Sequence, residues 1–419
     1  MNISNNTYEE LKIYYDHILN KDKSTYKSTN DEPTPTECIE TMFSKLPNTF
    51  YQNTNIKVLD PCCGNGNFHL ILRNLLLAHG FNDTDILENI MYFNDINIDR
   101  TNNVKTIFGD NSLVSNHDFL DYQYNTKFDL IVANPPYAKL MTNGKRASKN
   151  HNLVKLFIKK SLELLHDGGF LIYIVPDNWM SLSDRNTLLR EMTQFQFHWL
   201  DIHSAKKWFP KIGSSFTWFV LEKTPFYKPF TVQTLYKKEL YTSSVISEIR
   251  DYIPLIYTDK VQNIFKKTID ANNEKFTVET SSDLHKFTKK ELISTTQSDE
   301  FQYKLIHTPK QTVYAKRPHK FQNGYKVFIS TTDTYKVFVD NCGMTQSIVF
   351  IRCQNKTQAD SFKTVLEHDL YKFINNICRW GNFNNIRILQ KFPKCTNVQN
   401  IYNQFNITAD EIKFIESII

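Results

Sequence analysis

Between residues 56 and 220, short apolar runs alternate with stretches of helical period, and this alternation restricts the fold more than any other feature of the chain. The runs are IKVLD (56–60), IMYFND (90–95), a segment near 113–118, FDLIV (128–132) and GFLIYIVP (169–176). The pair FHWLDIHS (197–204) and SSFTWFVLEK (214–223) follows. Helical patterns fall between them near 67–79, 152–166 and 183–195, with a short one after residue 95. Continuous apolar strands separated by helices specify a mostly parallel α/β sheet covered on both faces. In such sheets ligands bind beyond the carboxyl ends of the strands. A further helix, TPTECIETMFSKL (34–46), precedes the first strand with its start signals intact: Thr34 as N-cap, Pro35 at the first helical position and Glu37 three residues after the cap.

The strand ends carry the chemistry. After the first comes DPCCGNGNF (60–68), where Gly64 and Gly66, two of only 11 glycines, mark a turn that lets a ligand approach the backbone. Asp95 ends the second strand, where a carboxylate can accept both hydroxyls of a ribose. Asp118 ends the third and suits an exocyclic amine, with the ring of Phe119 behind it to pack on a base. After the fourth comes Asn134-Pro135-Pro136-Tyr137. The prolines fix φ, bring no N–H and hold Asn134 extended, so the segment offers a side-chain amide oxygen and backbone carbonyls with few local donors. It is a cluster of acceptors that needs a donor. Each feature alone has a bland reading as turn glycine or capping carboxylate; their arrival in order at successive strand ends does not.

At 419 residues the chain exceeds what one core usually holds, so two domains of about 200 residues are expected. The proline-bearing TPFYKPF (224–230) suggests a catalytic domain at 1–225 and a second domain at 226–419. Aromatic content of 14% excludes a disordered chain. Residues 1–225 hold 23 basic and 25 acidic side chains, residues 226–419 hold 27 and 19, so positive charge gathers in the second part. Segment 301–356 has nine basic residues against two acidic, interleaved with aromatics: either a solvated face or the footprint of a polyanion. The cysteines at 38, 62, 63, 342, 353, 378 and 395 form no C-x-x-C pair and have no histidine at ligand spacing, so no disulfide framework or metal site is expected. The N-terminus lacks a basic region followed by an apolar one, and no run approaches a membrane span, so a soluble, cytoplasmic protein is expected.

The ordered set resembles the S-adenosylmethionine-dependent amino-methyltransferases, and within them the gamma-type DNA adenine-N6 methyltransferases. The resemblance covers about residues 25–225 and is carried by Thr34-Pro35, Asp60 through Phe68, Asp95, Asp118-Phe119-Leu120 and Asn134 through Tyr137. It implies a class I methyltransferase fold, Rossmann-like with a mostly parallel seven-stranded sheet, followed by a mixed α+β DNA-recognition domain. It also implies that S-adenosylmethionine is held by Thr34, Pro35, Asp60, Pro61, Cys62, Gly64, Gly66, Phe68, Asp95, Ile96, Asp118, Phe119 and Asn134. In that family the donor sought by the acceptors is the N6 amine of adenine, taken by Asn134 Oδ1 and the Pro135 carbonyl. Pro136 completes the motif, and Tyr137 stacks on the flipped base. Phe209, in KKWFPKIGSSFTWFV (206–220), matches the aromatic that packs on that base, although filling the core is an equal reading.

Candidate DNA contacts are Lys139, Lys145, Arg146 and Lys149 in the loop after the motif, and Lys316, Arg317, Lys320 and Lys326 in the basic segment. Arg379 in RWGNFNN (379–385) joins them because Arg and Asn read base edges, against the plainer reading of a local turn. The expected partners are double-stranded DNA and a cognate restriction endonuclease, with the chain acting as a monomer and without a metal. Two rivals share the electronic problem: an RNA adenine-N6 methyltransferase and a protein-glutamine N5 methyltransferase. The second is disfavoured by the Thr34-Pro35 helix and by the basic part that follows.

Overall fold

The computed structural model describes all residues except 1, 23, 25–31, 138–152, 185, 214, 247, 248, 250, 333, 396 and 397. The chain forms two compact units, the first comprising residues 1–179 and 187–250, the second 180–186 and 251–419.

The first unit is built on one sheet of nine strands: β1 (Val58–Asp60), β2 (Met91–Asn94), β3 (Leu113–Ser115), β4 (Phe128–Ala133), β5 (Leu165–Pro176), β6 (Phe195–Ile202), β7 (Phe216–Pro225), β8 (Phe230–Tyr236) and β9 (Glu239–Val245). Their order is β3-β2-β1-β4-β5-β7-β6-β8-β9. The first five in that order are mutually parallel, and β7 runs antiparallel to both of its neighbours. Leu130, Ile131, Val132 and Ala133 of β4 are all fully buried, as a central parallel strand requires.

The sheet is wider than the seven strands expected. β8 pairs in parallel with β6, and β9 returns antiparallel through Lys237 and Lys238, both at positive φ. The prolines at 225 and 229 therefore flank a connection within the sheet, and the break between units falls near residue 250 instead of at 225.

The helix expected at 34–46 spans Thr36–Phe43, and Pro35 rather than Thr34 occupies its cap position. The capping acceptor comes from another helix, Tyr8–His17. Asp16 accepts from Thr36 N at 3.2 Å and from Thr36 Oγ1 at 2.5 Å. Thr34 is thereby released for other work.

The second unit is mixed α+β. It holds a four-stranded sheet of β10 (Ile293–Ser294), β11 (Tyr303–Thr308), β12 (Gln311–Ala315) and β15 (Gly343–Met344), and a three-stranded one of β13 (Lys326–Ser330), β14 (Val337–Asp340) and β16 (Ile348–Arg352). Ile306, Phe328, Met344, Ile348 and Phe350 share one core. The terminal helix Ala409–Ile418 starts with a capping box of Thr408 and Glu411. The Glu411 carboxylate also accepts from Lys267 Nζ at 2.7 Å, tying the last helix to Asp259–Lys267.

Candidate active site

The parallel strands β1 to β4 deliver their marked residues to one edge of the sheet. Asp60, 1% exposed, ends β1 and accepts from Cys62 N at 3.2 Å; burial, with the charge of Asp95 nearby, pushes its carboxyl well above the usual carboxylate range. Asp95 accepts from Gly64 N at 2.9 Å through Oδ2 and from Asn97 N at 2.8 Å through Oδ1, with Arg100 Nη1 4.0 Å away.

The two glycines of the turn have different reasons. Gly64, at φ +55°, faces open space, whereas a Cβ on Gly66, at φ +89°, would meet Phe108 Cε2 at 2.7 Å. Gly64 leaves room for a ligand and Gly66 leaves room for a ring of the protein.

A residue that sequence reasoning passed over locks this edge together. Asn94, fully buried at the end of β2, donates from Nδ2 to Pro61 O (3.0 Å) and His117 O (3.1 Å). Its Oδ1 accepts from Ser115 Oγ (2.9 Å) and His117 N (3.2 Å). One amide thus joins the ends of β1, β2 and β3. The signal was an asparagine closing an otherwise apolar run. Tyr15, whose hydroxyl donates to Asn65 O at 2.7 Å, and Asn67, whose Nδ2 donates to Thr34 O at 2.9 Å, carried no signal at all.

At the end of β4, Asn134 donates from Nδ2 to Thr34 Oγ1 at 3.2 Å and to Glu32 O at 3.3 Å, which turns Oδ1 the other way. That oxygen accepts from Tyr137 Oη at 2.8 Å. Burial pushes the Tyr137 phenol far above its ordinary range, so the hydroxyl remains a donor at every working pH. The Cys62 thiol reaches Asn134 O at 3.6 Å, so the turn after β1 and the motif after β4 touch. Glu32, Thr34, Asp60, Cys62, Gly64, Phe68, Arg100 and Asn134 surround a small hollow of about 60 Å³.

The remaining candidates are placed as follows. Pro35 follows Thr34 of the hollow's lining at the cap of the helix, and Ile96 lies beyond the end of β2 with its apolar side chain 62% exposed. Asp118 is exposed and accepts from Leu120 N, whereas Phe119 is 2% exposed with its ring 5.0 Å from that of Phe157. Lys160 donates to Leu120 O and Tyr122 O and so holds the loop that bears them. Phe209 is 3% exposed, its ring 5.2 Å from Phe216, which lies 5.9 Å from Tyr137; it packs in the core and reaches the site through that chain of rings. Pro135 is buried and Pro136 exposed. Lys139, Lys145, Arg146 and Lys149 lie outside the described residues.

The second-unit candidates fare differently. Lys326 is 1% exposed, with Nζ donating to Asn323 O and Gly324 O, and cannot reach a phosphate. Lys316 pairs with Glu300 at 2.5 Å and Arg317 with Asp283 at 2.8 Å, while Lys320 is exposed over the ring of Phe321 at 4.8 Å. Arg379 donates to Asn382 O at 3.0 Å, and Trp380, Asn384 and Asn385 of the same motif are tied to Ile253 O, Ser330 O and Leu182 O. This motif is a structural turn, with Asn382 and Phe383 left on the surface.

Strand order and site define the class: this is the fold of a class I S-adenosylmethionine-dependent methyltransferase. The hollow suits that cofactor by its chemistry. Asp60 and Glu32 bring acceptor oxygens to the hollow, Asp95 stands behind it on the Gly64 amide, and Gly64 offers a surface without a side chain. Residues 14–209 match the Eco57I restriction-modification methylase family, so the resemblance drawn from the motifs holds for this segment.

The type II methyltransferase M.TthHB8I of Thermus thermophilus is 35% identical over 96 residues, 18% of this chain and 22% of its own. A release factor glutamine methyltransferase of Clostridium botulinum is 30% identical over 156 residues, 32% of this chain and 50% of its own. These curated relatives are therefore matched over half of their length or less. A cryo-electron microscopy structure of a DrdV–DNA complex shares the fold over 98% of this chain and 60% of the other, with a TM-score of 0.57 and 9% identity.

Proposed function

We propose that the protein transfers a methyl group to N6 of an adenine flipped out of duplex DNA. The observation that carries this reading is the fixed amide of Asn134: its nitrogen is spent on Thr34 and Glu32, so only its oxygen can face a substrate. An exocyclic adenine amine has its lone pair delocalised into the ring and is a poor nucleophile. Asn134 Oδ1 and the Pro135 carbonyl each accept one N6–H, drawing the lone pair back toward nitrogen and stabilising the positive charge that develops there. Asp60, Asp95 and the Gly64 turn would hold S-adenosylmethionine, whose sulfonium would give up its methyl and leave as the neutral thioether S-adenosylhomocysteine, while the methylated nitrogen would release its extra proton to solvent. Positioning does the rest, and no covalent enzyme intermediate is needed. A paired adenine hides its amine, so the base leaves the stack and the ring of Tyr137 receives it. DNA as substrate is supported by the matched methylase family and by the DNA-bound neighbour of the same fold. A restriction endonuclease of the same specificity is the expected functional partner.

The glutamine reading keeps one support, the similarity to the release factor enzyme, because a side-chain amide nitrogen presents the same difficulty. One experiment separates the two. The full chain is incubated with methyl-labelled cofactor and either adenine-containing duplexes or a glutamine-bearing release factor, and the products are digested and analysed by mass spectrometry. N6-methyladenine from duplexes is the expected product; label confined to protein glutamine, or to RNA when that is supplied, rejects the proposal.

A further inference from the structure

Among the described residues that surround the hollow beyond β1, Arg100 is the one cation, set against the acids Glu32 and Asp60. It stands in the first turn of the helix Ile98–Phe108, next to Asp99, and its side chain is only 11% exposed. A helix N-terminus carries partial positive charge, so a guanidinium there is repelled, and its withdrawal from water adds a further cost. Arginine keeps its charge in any protein setting, so neither cost is relieved by loss of a proton. Neutralising Asp95 is the plainer role, and the geometry serves it poorly. Arg100 Nη1 stands 4.0 Å from Asp95 Oδ2, longer than a hydrogen bond. The Asp95 oxygens instead accept from Gly64 N at 2.9 Å and from Asn97 N at 2.8 Å. With five N–H donors, a guanidinium can meet a ligand while it keeps the ties it already has.

We infer that Arg100 binds the carboxylate at the methionine end of S-adenosylmethionine through a charge-assisted hydrogen bond. The proposed cofactor carries a sulfonium, an ammonium and a carboxylate, and the carboxylate alone needs a donor. In the proposed reaction the sulfonium methyl faces Asn134, and the ribose goes to Asp95, which stands outside the lining of the hollow. The amino-acid tail is the remaining arm on sulfur, and the hollow between Thr34, the Gly64 turn and Arg100 is the space left for it. Glu32, Asp60 and Arg100 around that space mirror the signs of charge on the cofactor, two positive and one negative. The inference rests on the proposed methyl transfer and adds which residue recognises the amino-acid end.

The test is titration calorimetry of the full chain with S-adenosylmethionine and with its decarboxylated form, which keeps the sulfonium, the ribose and the amine. The unaltered chain should bind the decarboxylated compound roughly 10- to 100-fold more weakly, the effect of losing a hydrogen bond between charged groups. Arg100→Gln should weaken S-adenosylmethionine by a similar factor and bind the decarboxylated compound no more weakly than the parent does, because only the carboxylate loses a partner. Arg100→Lys keeps the charge without the planar fork and should recover part of the loss. Each variant is checked for an unchanged melting temperature; where one melts early, the comparison on the unaltered chain alone decides. Equal affinity of the unaltered chain for both compounds overturns the assignment while the cofactor reading stands. So does an Arg100→Gln chain that loses both equally, as it would if Arg100 only steadied Asp95. An unaltered chain that binds neither compound overturns the cofactor reading itself, and this inference with it.

Discussion

An asparagine amide is nearly symmetrical in shape, and what gives Asn134 a direction is the backbone carbonyl of Glu32, which can only accept, with Thr34 beside it. The Thr34 hydroxyl oxygen accepts from Nδ2, and the Glu32 carbonyl is the second acceptor. Replacing Asn134 with Ala should abolish methyl transfer and leave cofactor affinity, measured by titration calorimetry, near normal; surviving activity rejects the assigned role. Thr34→Val removes one anchor of about 1 kcal/mol, so turnover should fall roughly fivefold, and Thr34→Ser should restore it. Tyr137→Phe removes the hydroxyl that fills Asn134 Oδ1 but keeps the ring, so it should retain transfer, whereas Tyr137→Ala should lose it. Asn134 and its prolines were legible in the sequence because φ restriction is local. The partnership with Thr34, 100 residues away, was not, and Thr34 read as a helix cap.

The turn after β1 and the helix that follows it, Asn67–Ala78, form the element on which the proposed cofactor site depends. Gly66→Ala should lower stability, because its Cβ would press on Phe108 at a positive φ. Gly64→Ala meets no atom within 4 Å and should cost only the backbone term of about 1 to 2 kcal/mol. Urea midpoints measure the difference between them.

The same helix carries His69, fully buried, its Nε2 3.1 Å from Tyr92 O. Burial lowers its pKa from 6.5 to about 3. The unfolded chain takes up a proton below pH 6.5 and the folded chain does not, so the stability due to neutral His69 is complete above 6.5 and is lost as pH falls toward 3, at up to about 1.4 kcal/mol per pH unit. His69→Gln should flatten that decline in a series of pH-dependent unfolding curves. Strand ends and turn were readable here because periodicity and glycine are local signals. The hairpin β8–β9 was missed because prolines 225 and 229 looked like a border, although FTVQTLY alternates as a strand should.

Across the whole molecule, the proposed cofactor site and the excess of positive charge fall in different units. A ligand that binds only the folded state adds about 2.7 kcal/mol at a hundredfold excess over its Kd. With S-adenosylmethionine, hydrogen exchange should therefore slow in segments 60–68 and 94–100 and stay unchanged across 251–419; equal slowing in both units contradicts the placement of the site. The charge excess of the later part was visible in composition, but its neutralisation was not. Asp283 and Arg317 are 34 residues apart, and Glu279 and Arg352 are 73 apart, so only folding reveals that they meet. Five of the seven thiols are buried, and only Cys62, against the Asn134 carbonyl, and Cys353, in the second unit, are partly open. An alkylating reagent should consequently find one target in each unit, and under the proposed placement of the cofactor the first should be shielded by added S-adenosylmethionine and the second should not. The ratio of the two labelled peptides would then gauge occupancy against an internal reference.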